Sequence, residues 1–514
     1  MSLCVSAGDS GESGKSPPTF ANLQPILTQR LRRIIHRKVG SVVEAALAAQ
    51  RSPMSKDSDA IVIGAGAAGI TASIKLARTG LAVTILEARD RIGGRIFTLL
   101  DPECKAPVEF GAEFIHGRPL EIWNLLNRRK IRITEVDGDT WCVNDGQLGR
   151  CDFFSEVDQI LEKMDDRKPD QSFLEFLEEC CRKSNLGPPQ EEAKKWALSY
   201  VSGFNAADPT RVGVHWLVKG MRAEGKIEGQ RAFRAEHGYA DLIDIFQQQL
   251  NDTGVAVQKN TVVENIQWQP GRVQMVARGA NGTTTFSGSR VLITVPLGVL
   301  QARLDENGAI RFVPELPEEK QNAINNVVMG KVIRVTLRFR GRFWKDLPRM
   351  RKKSGKTMDG MSFLLSHDDW FPTWWTHEKQ PLLTGWAPFH CAERLSGQSE
   401  SFVVETALQT LHRLLGVSVQ ELETLFEQAY CHDWQSDPFS RGAYSYGKVG
   451  GDGMEEALGR PIENTLFFAG EATDADGHNG TVHGAIASGE RAAAEMLAVL
   501  GKGKSSKLKM RSSE

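Results

Sequence analysis

Residues Asp59 to Arg95 read DAIVIGAGAAGITASIKLARTGLAVTILEARDRIGGR. Ala60 to Ile63 form a short apolar run of strand type, and Gly64, Gly66 and Gly69 follow in G-x-G-x-x-G order, with Ala68 inside the turn. A helical pattern then carries Ile70, Ile74, Leu76 and Ala77 to Gly80. A second apolar run, Ala82 to Leu86, ends in Glu87, about twenty residues past the glycines, where a dinucleotide fold places the acid that binds a ribose hydroxyl. The glycines are needed because a pyrophosphate reaches backbone N–H groups and the positive end of a helix only where no Cβ intervenes. A lone G-x-G-x-x-G also marks ordinary helix turns. Here strand, turn, helix, second strand and acid agree, and the reading is dinucleotide binding.

After Glu87 the run ARDRIGGR sets Arg89, Arg91 and Arg95 around a second glycine pair, Gly93 and Gly94, for which a nicotinamide-only site has no use. This stretch resembles the flavin amine oxidase family, which includes monoamine oxidases, polyamine oxidases and lysine-specific histone demethylases. The resemblance implies FAD, with Glu87 on the adenosine ribose, Arg89 and Arg95 at the phosphates, and Gly64, Gly66, Ala68, Gly69 and Gly94 as positions of close approach.

At 514 residues the chain is too long for one ordinary core. Lysine and arginine total 63 against 64 acids, so no net charge calls for nucleic acid or a membrane surface. No run of about eighteen apolar residues predicts a transmembrane helix. Of the eight cysteines the only close pair, Cys180 and Cys181, are neighbours that cannot easily close a relaxed disulfide. A reducing compartment, and so the cytoplasm, is expected.

Residues 1–19 are rich in Gly, Ser and Pro, a composition of disorder. Between Ile26 and Ala46 apolar residues recur at helical spacing with Arg30, Arg32, Arg33, Arg37 and Lys38 between them. This basic amphipathic helix suits packing on the body or on a second subunit, as in a homodimer; the alternatives are a membrane surface or import into an organelle. From Cys151 to Cys180 ten acids stand against three bases. Most such runs are solvated helix faces, and the functional reading is a rim that steers cationic substrate inward.

Further motifs extend the family resemblance. In VEFGAEFIHG, from Val108, Glu113 and Phe114 match the turn beneath the flavin ring, and His116 matches a histidine found in polyamine oxidases. Val263 matches a valine on the adenine side. Lys331, in VVMGKVIRVTLRF, is by composition a surface strand residue, but the resemblance makes it the family's buried lysine, bridged by water to the reactive flavin nitrogen and suited to relay a proton on reoxidation. Tyr444 matches the aromatic before the ring. Ala443 stands where monoamine oxidases have the cysteine that bonds FAD covalently, so non-covalent FAD is expected. In LFFAGEATDADGHNGTVHGA, Glu471 matches an anchor for cofactor hydroxyls, Val482 opens a helix aimed at the flavin carbonyls, and Thr481 replaces the second cage tyrosine of monoamine oxidases.

The expected architecture is α/β: an FAD-binding Rossmann-like domain of GR2 type interleaved with an α+β substrate domain of mixed sheet plus helices. The FAD-binding pieces are 56–132, 234–311 and 430–500, the substrate pieces are 133–233 (helical) and 312–429, and 1–55 and the basic tail 501–514 flank them. The implied activity is oxidation of a small-molecule amine, polyamines favoured, with molecular oxygen as acceptor and no metal. The rivals are an L-amino-acid oxidase, which would need Arg334, Arg338 or Arg231 for a carboxylate, a monoamine oxidase, and a carotenoid or porphyrinogen desaturase.

Overall fold

The run Ala60–Ile63 is a strand at the centre of a five-stranded, wholly parallel sheet. Across that sheet lie Ala256–Gln258, Val83–Leu86, Ala60–Ile63, Val291–Ile293 and Leu466–Phe468. Three of its strands are unbroken apolar runs and a fourth, Val83–Leu86, is broken only by Thr84, because both faces are buried: one by helices such as Ala67–Ala77, the other chiefly by the antiparallel strands Val262–Gln269, Arg272–Gly279 and Gly282–Gly288. Helices Ala67–Ala77 and Val482–Arg511 pack on one another, so closely that a Cβ on Gly489 would strike the Ala68 carbonyl. The sheet therefore draws on three stretches of chain far apart in sequence. The computed structural model describes residues 58–182, 188–347, 357–377 and 379–511. The amphipathic segment Ile26–Ala46 lies outside them.

A second, seven-stranded sheet runs Phe426–His432, Val332–Phe339, Leu382–Pro388, Thr373–Thr376, Met361–Ser366, Asp139–Asn144 and Gln147–Arg150. It is mixed, since Met361–Ser366 pairs parallel with Asp139–Asn144 while the other neighbours are antiparallel. Strand Val332–Phe339 is buried along its length. Ile333, Val335, Leu337 and Phe339 enter the apolar core under the sheet, so alternation turns Arg334, Thr336 and Arg338 to the opposite face. A three-stranded sheet of Ile115–His116, Ala232–Ala235 and Ile133–Glu135 packs Ile115, Phe233 and Ala235 into the core of the first sheet and reaches the second through Arg234, which donates to the Thr376 carbonyl.

Two expectations are corrected here. Cys142 and Cys151 form a disulfide with Cα atoms 5.7 Å apart, because the hairpin Asp139–Asn144/Gln147–Arg150 folds them together. The reduced compartment rested on finding no pair among the cysteines, and a separation of nine in sequence gave no sign of one. The basic tail, which its composition would leave loose, continues the helix Val482–Arg511 as far as Arg511. Among the described residues no helix is long and apolar enough to cross a membrane.

Candidate active site

At one end of the site is the turn between Ala60–Ile63 and Ala67–Ala77. Gly64 adopts φ +103°, and a Cβ there would stand 2.9 Å from Thr294 Oγ1. A Cβ on Gly69 would collide with the Gly64 carbonyl, which fixes the tight turn. Gly66 caps the helix with no side-chain hydrogen bond, its Cβ direction is open, and the first turn holds no acid. Gly94, at φ +60°, packs against Gly66, where a Cβ would lie 3.3 Å from the Gly66 Cα. Unpaired helix N–H groups facing open space fit an anionic pyrophosphate. Glu87 is buried, its Oε2 accepting from Ala65 N (2.6 Å) and its Oε1 from Arg89 N (2.8 Å), so the acid is locked to the turn that it serves. Val263 is buried next to a bulge in the strand Val262–Gln269.

The two arginines of the second motif are held by the segment from Trp434 to Ser445. Arg89 Nη2 donates to Asp437 Oδ1 at 2.8 Å, and Asp437 is held at about 2, His432 and Arg89 outweighing the burial that opposes them. Arg95 Nη1 donates to the Ala443 carbonyl (2.7 Å) and to Glu471 Oε1 (2.9 Å). Glu471 Oε2 accepts from Ser445 Oγ (2.6 Å), Ser445 N (3.2 Å) and Gly480 N (2.9 Å). A narrow cleft lined by Arg95, Thr294, Pro296, Leu458, Gly470 and Glu471 adjoins this hub. Thr481 Oγ1 accepts from Gly484 N at 3.0 Å ahead of the last helix, whose first residue, Val482, packs on the core.

At the other end is an aromatic chamber. The Tyr444 hydroxyl donates to the Phe204 carbonyl at 2.6 Å, and burial raises its pKa. Phe114 stands 5.4 Å from Trp375, 6.1 Å from Phe363 and 6.2 Å from His116, ring centre to ring centre. Phe154 links Phe363 and Phe204. His116 has open surface yet lies deep among protein atoms, as a side chain on the wall of an internal chamber does, and burial lowers its pKa. It sits near His483, whose ring burial pushes to about 3, and His483 Nε2 lies 3.1 Å from His478 Nδ1.

Lys331 is not in this chamber. Its side chain is 47% exposed and its Nζ donates to Glu393 Oε1 at 2.7 Å. Lys331 shares strand parity with Ile333 and Val335, which face the apolar core, so its ammonium leaves the strand end for water and the helix His390–Leu395. The strand buries Arg338 and Arg334 instead, and the one beside the aromatic rings is Arg334. Its Nη1 donates to the Gly111 carbonyl (3.0 Å) and its Nη2 to Glu113 Oε2 (2.6 Å). Glu113 faces side chains of this chain: Oε1 also takes Arg234 Nε (2.9 Å) and Nη2 (2.7 Å), and Trp375 Nε1 donates at 3.0 Å. Burial opposes ionisation, but Arg234 first, and then His377 and Arg334, hold this carboxylate at about 2.

Sequence reasoning missed Arg234, Trp375 and His377, which nothing but three-dimensional pairing brings together. It also missed Glu224, pushed up to about 6 by burial and then by Asp158, whose charge acts on Tyr200, a ring 5.4 Å from that of Phe204 on the helical side. Part of the acidic run is occupied locally: Asp165 pairs with Arg167, Asp166 with Arg222, and Asp170 accepts from His215 N and Gly450 N.

Residues 67–497 match the family model described as flavin containing amine oxidoreductase. The chain is 27% identical over 470 residues to Polyamine oxidase 4 of Oryza sativa subsp. japonica, covering 85% of this chain and 88% of that protein. It is 28% identical to Lysine-specific histone demethylase 1 homolog 2 of Arabidopsis thaliana, over 85% of this chain and 58% of that one. A solved structure of putrescine oxidase, the wild type bound to putrescine, superposes with a TM-score of 0.69 at 22% identity, covering 86% of this chain and 99% of its own, which establishes the mixed α/β fold. Glycine turn, arginine pair and aromatic chamber thus stand in a chain that belongs to the flavin containing amine oxidoreductase family and is an amine oxidase.

Proposed function

We propose that the chain is an FAD-dependent oxidase of polyamine-type amines, with FAD held non-covalently. The observation that carries this reading is a run of three residues: the Ala443 carbonyl and Ser445 bind Arg95 and Glu471 in the cradle, while Tyr444 between them enters the chamber. Cofactor cradle and substrate wall are therefore consecutive in sequence. Bound FAD would supply a hydride acceptor, so that the C–H bond beside an amine nitrogen breaks, water hydrolyses the imine, and oxygen takes the two electrons to give hydrogen peroxide.

The N-terminus of Ala67–Ala77 would hold the pyrophosphate with Arg89 nearby, Glu87 the adenosine ribose, Val263 the adenine side, and Arg95 with Glu471 the hydroxyls of the chain leading to the ring. The first turn of Val482–Arg511, set by Thr481, would present N–H groups to the flavin carbonyls and favour an electron-rich ring. Tyr444, Phe114 and His116 would orient the substrate. Only an uncharged amine can lend its lone pair, and an alkyl ammonium of pKa about 10.4 is neutral in roughly one molecule in two to three thousand at pH 7. Restoring neutrality in water costs about 4 to 5 kcal/mol, part of which a dry aromatic chamber removes by penalising the charged form.

Arg338 is bound to Asp101, Arg231 to Glu135 and Glu228, and Arg334 to Glu113, so none of the three arginines an L-amino-acid oxidase would need is held ready for a substrate carboxylate. Anaerobic bleaching of the bound flavin by spermine, spermidine, putrescine, benzylamine and L-amino acids tests the reading. Polyamines should bleach fastest, with a rate that rises with pH. Bleaching by amino acids alone, or a flat profile from about pH 6 to 10, would sink it. Acid denaturation should release free flavin, since Ala443 offers no sulfur.

A further inference from the structure

Strand Val332–Phe339 carries two buried arginines on one face, and they are neutralised differently. Arg338 donates to both oxygens of Asp101 (2.8 and 3.1 Å) and lies 3.4 Å from Glu427. Arg334 and Arg234 share one carboxylate, Glu113, and among the described residues no second acid pairs with either. Arg334 is 3% exposed, and its Nε has no hydrogen-bond partner.

The titratable groups around this cluster do not cancel the excess. Burial pushes His377, 3.8 Å from Glu113, down to about 3 against the pull of Glu113, so its ring is neutral at ordinary pH. Burial pushes Glu109 up to about 8, against donors from Thr98 and Tyr239, so it is protonated at pH 7. Cys431, on the adjacent strand, is pushed up to about 12 by burial and stays a thiol. Two guanidinium charges against one carboxylate leave one positive charge. It sits directly behind the chamber, with Arg234 4.8 Å from the Phe114 ring centre and Arg334 5.5 Å from that of Trp375. Unlike an ammonium, a guanidinium does not give up its proton in a protein.

We propose that Arg334 and Arg234, holding one carboxylate between them, are positioning residues: a fixed positive centre behind the aromatic wall that admits the amine uncharged and favours the electron-rich, reduced cofactor. This rests on the reading of the site as one for FAD and an amine. A cation behind the wall repels an ammonium but not a neutral amine, and it attracts the negative charge that reduction brings. Desolvating an unpaired charge is costly, which gives the excess a physical meaning at a site where electrons arrive.

The experiment uses the holoprotein and the variants Arg334→Gln, Arg234→Gln and Arg334→Lys. Each glutamine leaves Glu113 one guanidinium partner and brings the cluster to neutrality; the lysine keeps the charge, and Arg234→Gln stands in if Arg334→Gln does not fold. Two readouts are taken: the midpoint potential of the bound flavin, and the pH dependence of binding of tert-butylamine, whose carbon beside nitrogen carries no hydrogen, from the flavin difference spectrum. For a unit charge about 7 to 12 Å away at an effective dielectric of about 20, either glutamine should raise the pKa of the bound amine by about one to two units, so that binding extends to lower pH, and make the potential more negative. Arg334→Lys should stay near wild type at pH 7. Glutamine variants in which either readout does not move overturn the proposal alone, as does a lysine variant that behaves like glutamine. Wild-type protein that binds FAD but is bleached by no amine overturns the amine reading, and this proposal with it.

Discussion

The two ends of the site are built by opposite means. The phosphate end consists of backbone and vacancy: Gly66 leaves space, Gly69 lets the helix approach the strand, and the helix N–H groups are left free. The ring end consists of side chains reaching from two sheets, with Arg334, Arg234 and Trp375 converging on Glu113. A backbone device is written in a dozen consecutive residues. A side-chain hub is written in residues that all lie more than a hundred positions from Glu113, and a change at either end should therefore fail differently.

The largest expected effect is at the hub. Glu113→Gln leaves two buried guanidiniums without an anion and should cost about 3–5 kcal/mol of stability, read as a lowered urea midpoint. A loss below about 1 kcal/mol would mean the hub is not closed as described. Gly69→Ala should destabilise by about 1–3 kcal/mol through overpacking on the Gly64 carbonyl, yet remove flavin binding altogether, because the turn must open. Retention of flavin at wild-type affinity would show that the turn has slack.

The pH dependence separates the neighbours within the hub. Glu109 has a folded pKa raised to about 8, so its stabilising contribution is complete below its unfolded value and is lost as pH rises through about 8. Glu109→Gln should thus gain roughly 3–4 kcal/mol on wild type between pH 5 and pH 8.5, measured by urea unfolding at both. Glu113 and His377, both lowered, act in the other direction: their contributions are present above the unfolded values and are lost as pH falls toward about 2 and about 3. The smallest effect is at Lys331. Lys331→Ala removes one exposed pair with Glu393 and should change stability by under about 1 kcal/mol and leave flavin bleaching within about twofold. A hundredfold loss of bleaching would return the lysine to the chemistry.

The contrast also explains what could be read from the sequence. Strand, turn, helix and acid are local and periodic, so the mixed α/β fold and the glycine motif were legible from Asp59 to Arg95 alone. Lys331 shows the limit. Motif wording placed a cation near the start of the strand, but which face it takes is set by a parity that only the packed strand reveals, and the structure buries Arg334 instead. Cys142 and Cys151 show the same limit: a hairpin register, not spacing, brings them together.

One feature of the parallel sheet bears on how the molecule is made. Val291–Ile293 stays a bare edge until Leu466–Phe468 docks on it, and about 170 residues separate the two along the chain. At about 5–20 residues per second a ribosome needs roughly ten to thirty-five seconds to deliver that partner. Throughout that interval a nascent chain carries an unpaired apolar ribbon, so polysomes stalled before Leu466 should recruit holdase chaperones, and shortened products should clump rather than accumulate as soluble half-molecules.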